Sequence, residues 1–271
     1  MELTAWHRPC QDPRGAVALV HGAGEHCGRY EHVADHLNRA GYAVLGLDLP
    51  GLGRSPGRRG HVESFEDYLG AVDATRARLE ALHPGVPQFL YGHSMGGLIA
   101  VRWLQSRAPA AQAGLGGAIL SCPCLDLALP LPPALLRTAA LIERVWPTFT
   151  QSNRIPASAV SRTPEVVAAY AHDPLVVRSV SVRWAMELQR AMLAARAGPA
   201  RAEVPVLVLQ AGADQLVSAA ATRAYAERLE APRKLYREFP GWYHELHNEP
   251  GRDEVLALLT GFLDETLAVA R

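Results

Sequence analysis

Lysine is nearly absent. Lys234 is the single one among 27 basic residues, and 27 acidic residues balance them to a formal net charge of zero. No polybasic face is available for a phosphate backbone, so nucleic acid is not an expected partner. Cysteine is scarce too. Cys10, Cys27, Cys122 and Cys124 are too few and too scattered for a disulfide framework, which a chain of 271 residues does not need. Cys122-Pro-Cys124 lacks the two-residue spacer of a redox or zinc pair, so four free thiols in a reducing compartment are expected. Long apolar runs are missing as well. The most apolar stretch, Leu127 to Leu136, is short and broken by Pro130, Pro132 and Pro133, and Met1 to Asp12 has no apolar segment of a signal peptide. The reading is a soluble, cytoplasmic protein. A composition of 49% hydrophobic and 20% charged residues excludes disorder.

Short apolar runs alternate with stretches of helical period, at the spacing of repeated βα units. Strands are expected at Ala16–Val20, Tyr42–Leu47, Pro87–Tyr91, Gly117–Ser121, Val204–Leu209 and Lys234–Phe239, in a mostly parallel sheet. Helices are expected at Tyr30–Ala40, from the capping box Ser64/Asp67 to about Leu82, at Leu98–Arg107, near Ser218–Leu229 and from about Arg252 to Ala268. Between two of the strands, Cys122 to roughly Arg201 is too long for a connection of sheet neighbours. It reads as an inserted helical cap (122–201) on a core made of 1–121 and 202–271. The cap opens on the proline-broken apolar run Leu125–Leu136, with helical spacing at Pro164–Tyr170 and Ser181–Ala195.

Chemistry concentrates at Gly92-His93-Ser94-Met95-Gly96-Gly97, between an apolar strand and a helix. This is the G-x-S-x-G nucleophile elbow, in which a serine sits on a strained turn and glycines two residues either side leave it room. The following helix points its N-terminal amides at the reacting centre, where an oxyanion would form. A serine nucleophile needs a base and an orienting carboxylate, which follow here in the order Ser, Asp, His. Asp214 comes just after the strand Val204–Leu209, and His244 follows Lys234–Phe239 across Pro240 to Tyr243. Ser94, Asp214 and His244 would then emerge at one edge of the sheet. His247 is the rival base and a neighbour that would line the site, and Asp126, after the preceding strand, is the fallback acid.

His244-Glu245-Leu246-His247 is one residue short of H-E-x-x-H and cannot place two imidazoles on one helical face, so no metal is expected. His21-Gly22-Ala23-Gly24-Glu25-His26 follows the first expected strand and offers the other half of an oxyanion hole, with the amides of Ala23 and Met95 as donors. As a dinucleotide turn it fails, because Cys27 stands where the third glycine belongs.

Taken in order, HGAGEH, GHSMGG, GADQLV and GWYHELH resemble the monoacylglycerol lipase and lysophospholipase group of the α/β-hydrolases over nearly the whole chain. HGAGEH with Gly28-Arg29-Tyr30 is the most specific of them. Gly51-Leu52-Gly53-Arg54-Ser55 is similar to the family's G-H-G-x-S with Leu52 for its histidine, and His172 to Val176 is similar to its D-P-L segment. The resemblance implies an α/β-hydrolase fold, a mostly parallel central sheet flanked by helices, with a helical cap inserted after the sixth strand and an apolar channel for an acyl chain. It implies no cofactor, a small-molecule lipid ester as substrate, and a serine hydrolase cleaving a monoacylglycerol to fatty acid and glycerol through an acyl-enzyme. A lysophospholipase or a general carboxylesterase or thioesterase on the same triad is the alternative, and a non-enzymatic receptor is a third reading. It further implies that Glu25, Arg29, Tyr170 and His247 gather where the alcohol leaves, although Glu25 and Arg29 at i and i+4 equally suit a surface ion pair. The apolar cap opening suggests a channel wall and transient, peripheral contact with membranes or micelles.

Overall fold

The computed structural model describes residues 2–153 and 155–269. A seven-stranded sheet runs in the order β1 (Ala5–Arg8), β3 (Tyr42–Leu47), β2 (Gly15–Val20), β4 (Gln88–His93), β5 (Leu115–Ser121), β8 (Val206–Ala211), β9 (Lys234–Phe239). Only β1 is antiparallel to its neighbour; the other pairs are parallel. Every residue of β2, β3, β4 and β8 is buried, the pattern of strands covered on both faces by crossover helices. Those helices are α1 (Glu31–Arg39), α2 (Glu66–Leu82), α3 (Met95–Ser106), α7 (Ala219–Arg228) and α8 (Arg252–Val269). The Ser64/Asp67 box takes shape as Ser64 N–H on Asp67 Oδ2 at 3.2 Å, across the start of α2. Ser218 caps α7 by accepting Ala221 N–H.

Between β5 and β8 lie α4 (Pro133–Val145), β6 (Thr150–Ser152), α5 (Pro164–His172), β7 (Ser179–Ser181) and α6 (Val182–Ala197), with β6 and β7 paired antiparallel. The expectation of an insertion after the sixth strand is corrected, since it follows the fifth in chain order. Among the described residues only β1 precedes β2. The proline-broken run also needs correcting, because its last proline starts α4 instead of preventing it. Pro133 occupies the first helical turn, where a missing N–H costs nothing. The inserted segment is tied to core loops through Val177 N–H on Gly24 O (2.7 Å), Ser181 N–H on Gly60 O (2.8 Å) and His26 Nε2 against Asp173 Oδ2 (2.9 Å). Among the described residues no helix is long and apolar enough to cross a membrane.

Candidate active site

β4 ends in His93 and α3 begins at Met95, which leaves Ser94 alone at the corner with φ 54° and ψ −117°. An L residue rarely adopts that region, so the surroundings must impose it. They do so through backbone contact. A Cβ on Gly92 would lie 2.3 Å from Gly96 O, and one on Gly96 2.1 Å from Val20 O, so β2, β4 and α3 close on one another only where both positions lack a side chain. Ser94 itself donates its N–H to Ser121 O and accepts from Cys124 N–H, each at 2.9 Å.

Asp214 and His244 come together from neighbouring strand ends. His244 Nδ1 lies 2.7 Å from Asp214 Oδ2, while Asp214 Oδ1 accepts the amides of Leu216 (2.9 Å) and Val217 (3.0 Å). Both side chains are almost fully buried. Burial works to raise the Asp214 carboxyl, but the facing imidazole and the two amides leave it below the ordinary carboxylate range. Burial pulls the His244 imidazole down, and Asp214 outweighs it, so the ring ends above its usual value. Asp126, the fallback acid, instead meets Arg196 at 2.5 Å and its own neighbour's amide.

Ser94, His244, Gly22, Ala23 and Glu25 face one cavity of about 770 Å³, whose other walls come largely from the inserted segment, including Leu127 to Pro132, Leu135, Leu136, Val180, Trp184 and Met192. Among the described residues the amides of Ala23 and Met95 have no protein acceptor. Met95 is the first residue of α3, where a helix leaves its amides unpaired.

The four residues expected at the alcohol side divide. Tyr170 and Glu25 face the cavity, and Arg29 lies behind them with its guanidinium carbon 4.7 Å from the Tyr170 ring centre. Glu25 and Arg29 are no surface pair, for their side chains are only 4% and 9% exposed and joined by a short ion pair. His247 does not line the cavity, and that expectation is corrected. Its ring is fully buried, stacked on Tyr30 at 4.7 Å and edge-on to His93 at 5.0 Å, so it packs behind the site. Burial, with the neighbouring imidazoles, holds His247 well below the usual histidine value, and the same causes bring His93 to about 3.

Glu245 was weighed in the sequence only as part of a metal motif, yet its carboxylate receives both arms of Arg29, at 2.6 and 2.8 Å. Its position directly after the candidate base was the available signal. Among the described residues two clusters carry metal-ligating residue types, His21/Cys27/Asp48 and Cys122/Asp214/His244. In the first, His21 Nε2 already accepts Leu49 N–H, and Asp48 takes the amides of Cys27 and Arg54. In the second, His244 Nδ1 is committed to Asp214. The four cysteines are free. Leu52, the departure in the family's loop, is fully buried in the core.

The model of the serine aminopeptidase S33 family matches residues 11–251. Phospholipase YtpA of Bacillus subtilis is 36% identical over 263 residues, covering 96% of this chain and 99% of that protein. A monoacylglycerol lipase of Mycolicibacterium smegmatis is 34% identical, covering 94% and 90%. The crystal structure of Paleococcus ferrophilus monoacylglycerol lipase superposes with a TM-score of 0.87 at 33% identity, covering 98% of this chain and all of that one. A serine on a strained elbow, a sheet of this topology and likeness along almost the full length lead to one conclusion: the chain belongs to the serine aminopeptidase S33 family, as a serine hydrolase of the monoacylglycerol-lipase-like α/β-hydrolase kind.

Proposed function

We propose that this enzyme hydrolyses the ester of a monoacylglycerol to a fatty acid and glycerol. The observation that carries the reading is the buried Asp214–His244 pair, whose imidazole lines with Ser94 the floor of a largely apolar cavity. Ser94 Oγ attacks the ester carbonyl while His244 takes its proton, and Asp214 holds the imidazole and stabilises the imidazolium. The amides of Ala23 and Met95 receive the developing oxyanion. As the C–O bond breaks, His244 returns the proton to the departing glycerol oxygen. Water, deprotonated by the same histidine, then cleaves the acyl-enzyme and frees Ser94. Residues 122–201 act as the cap whose apolar lining holds the acyl chain, and its exposed Leu129, Leu141, Val145 and Trp146 suit transient contact with a micelle or bilayer. A lysophospholipid is the second reading, supported by the relative named a phospholipase.

The test is labelling with a fluorophosphonate and hydrolysis of monoacylglycerol, lysophospholipid and methyl ester of one fatty acid. Ser94→Ala should lose labelling and about 10⁴-fold or more in turnover while staying folded. His244→Ala should be as damaging. Turnover abolished by His247→Ala and spared by His244→Ala would overturn the assignment of the base. Preference for the lysophospholipid would favour the second reading.

A further inference from the structure

Two loops build the reacting centre, and one guanidinium joins them. In the loop after β2, Glu25 Oε1 accepts Gly22 N–H and Tyr30 O–H, both at 2.6 Å, while its other oxygen pairs with Arg29. Gly22 is wedged there, since a Cβ on it would sit 2.7 Å from Glu25 Oε1 and 3.2 Å from Ser94 Cβ. In the loop after β9, Glu245 takes both arms of Arg29 and also Asn248 Nδ2 at 2.7 Å. Its amide donates to Val160 O of the inserted segment at 2.8 Å. The bonded path therefore runs from the amide beside Ala23, through Glu25, Arg29 and Glu245, to the residue next to His244.

We propose that Glu25, Arg29 and Glu245 are positioning residues, a buried clamp that holds the oxyanion loop and the His244 loop at the separation acyl transfer requires. The proposal rests on the acyl-transfer reading above. Two carboxylates sharing one guanidinium away from water are a poor way to gain stability, because desolvation offsets much of the attraction. They are a good way to set orientation, since Arg29 holds Glu245 through two parallel bonds. Glu25 is badly placed to receive an alcohol, for one of its oxygens already takes two donors and the other faces Arg29.

The clamp also acts on charge. The groups facing His244 are Asp214, Glu25, Glu245, the buried imidazoles of His93 and His247, and the Cys122 thiol. Asp214, Glu245 and Glu25 all favour the imidazolium that forms when Ser94 gives up its proton. Removing one carboxylate charge should therefore cost rate and also move the acid limb of the pH profile.

The experiment compares Glu245→Gln, Glu25→Gln, Arg29→Met and Arg29→Lys on a monoacylglycerol and on the methyl ester of the same acid. A positioning role predicts kcat lowered about tenfold for the glutamine variants and about a hundredfold for Arg29→Met, equally on both esters, with KM changed less than twofold. Arg29→Lys keeps the charge without the fork and should recover about tenfold over Arg29→Met. In Glu245→Gln the acid limb of kcat/KM should shift to lower pH, which a purely structural role would not produce. Loss confined to the monoacylglycerol would overturn the clamp in favour of an alcohol subsite. A lowered Tm with kcat unchanged would reduce it to fold support. Wild-type protein that cleaves neither ester and resists fluorophosphonate would refute the acyl-transfer reading itself, whereas active wild type with unaffected variants would refute the clamp alone.

Discussion

The floor and the roof of the cavity are built on opposite terms. On the floor, Ser94, His93, His244 and Gly22 are all buried, and backbone atoms would stand 2.1 to 2.3 Å from any carbon added at Gly96 or Gly92. On the roof, α4 has one buried residue, Glu143, held by Arg183 and Arg190 of α6, while Leu129 is 80% exposed and Trp146 59%. Close backbone approach and hydrogen bonding fix the floor tightly. The roof carries apolar surface that water covers poorly and that a lipid would complete. The candidate chemistry is held where one methyl group is felt, and the proposed acyl site lies where the protein's own packing stops.

The largest effect is expected from a single carbon on the floor. Gly96→Ala puts a Cβ against Val20 O, and the obstacle is strand backbone, so β2 and α3 must separate. Turnover should fall by more than about a hundredfold and stability by about 2 to 3 kcal/mol, read by steady-state kinetics and thermal unfolding. Gly261→Ala in α8 is the control, because a Cβ there meets nothing within 4 Å and the helix gains about 0.5 to 1 kcal/mol. Similar behaviour of the two variants would break the contrast between a fully determined floor and the rest of the molecule.

The same contrast decides what was legible in the sequence. Tyr42–Leu47 and Lys234–Phe239 fall where expected, and the other four core strands within two residues. The inner strands were legible because a strand buried on both faces must be a continuous apolar run between punctuating loops, whereas the edge strand Lys234–Phe239, largely half-exposed, was legible from its place in the βα alternation. Ser94 was legible through its flanking Gly92 and Gly96, because only glycine fits the approaches at those two positions. Ala5–Arg8 was missed, as an edge strand half exposed carries no such run. In the inserted segment α4 was hidden by reading Pro133 as a breaker when it starts the helix. The Arg29–Glu245 pair spans residues far apart in the chain, and no local pattern announces a contact of that kind. His247 was drawn to the cavity by its spacing from His244, whereas the turn Leu246–Asn248 carries its ring the other way, onto Tyr30.

A smaller effect should follow from the roof. Leu131 faces the cavity and is 37% exposed, so Leu131→Asp leaves the core packing alone and puts a charge where an acyl chain or a lipid surface would lie. Activity on dispersed long-chain monoacylglycerol should drop about tenfold, with less than about twofold change on a short, water-soluble ester. Equal losses on the two substrates would mean that the cap supports the floor structurally and does not receive lipid.

The smallest effect belongs where floor and roof meet. Tyr170 comes from α5 of the inserted segment and lies over Arg29 of the core, so its ring and its hydroxyl have separable duties. Phenylalanine keeps the ring over the guanidinium and with it most of the cation–π contact, which leaves the O–H as the only group removed. Burial, then Glu25 and Glu245, push the phenol well above its ordinary value, so it stays protonated and available as a donor at any working pH. A monoacylglycerol brings two free hydroxyls into the cavity, and each needs a partner once water is displaced; a methyl ester brings none. Tyr170→Phe should therefore lower kcat/KM for the monoacylglycerol about fivefold, the worth of one neutral hydrogen bond of ~1 kcal/mol, and leave the methyl ester of the same acid nearly unchanged. This selectivity is the reverse of the equal losses expected from Glu245→Gln, so measuring both variants on both esters separates a group that touches the leaving alcohol from a group that holds the loops. Equal losses for Tyr170→Phe would assign its hydroxyl to the seam between floor and roof, and recognition of glycerol would then have to come from other atoms of the cavity wall.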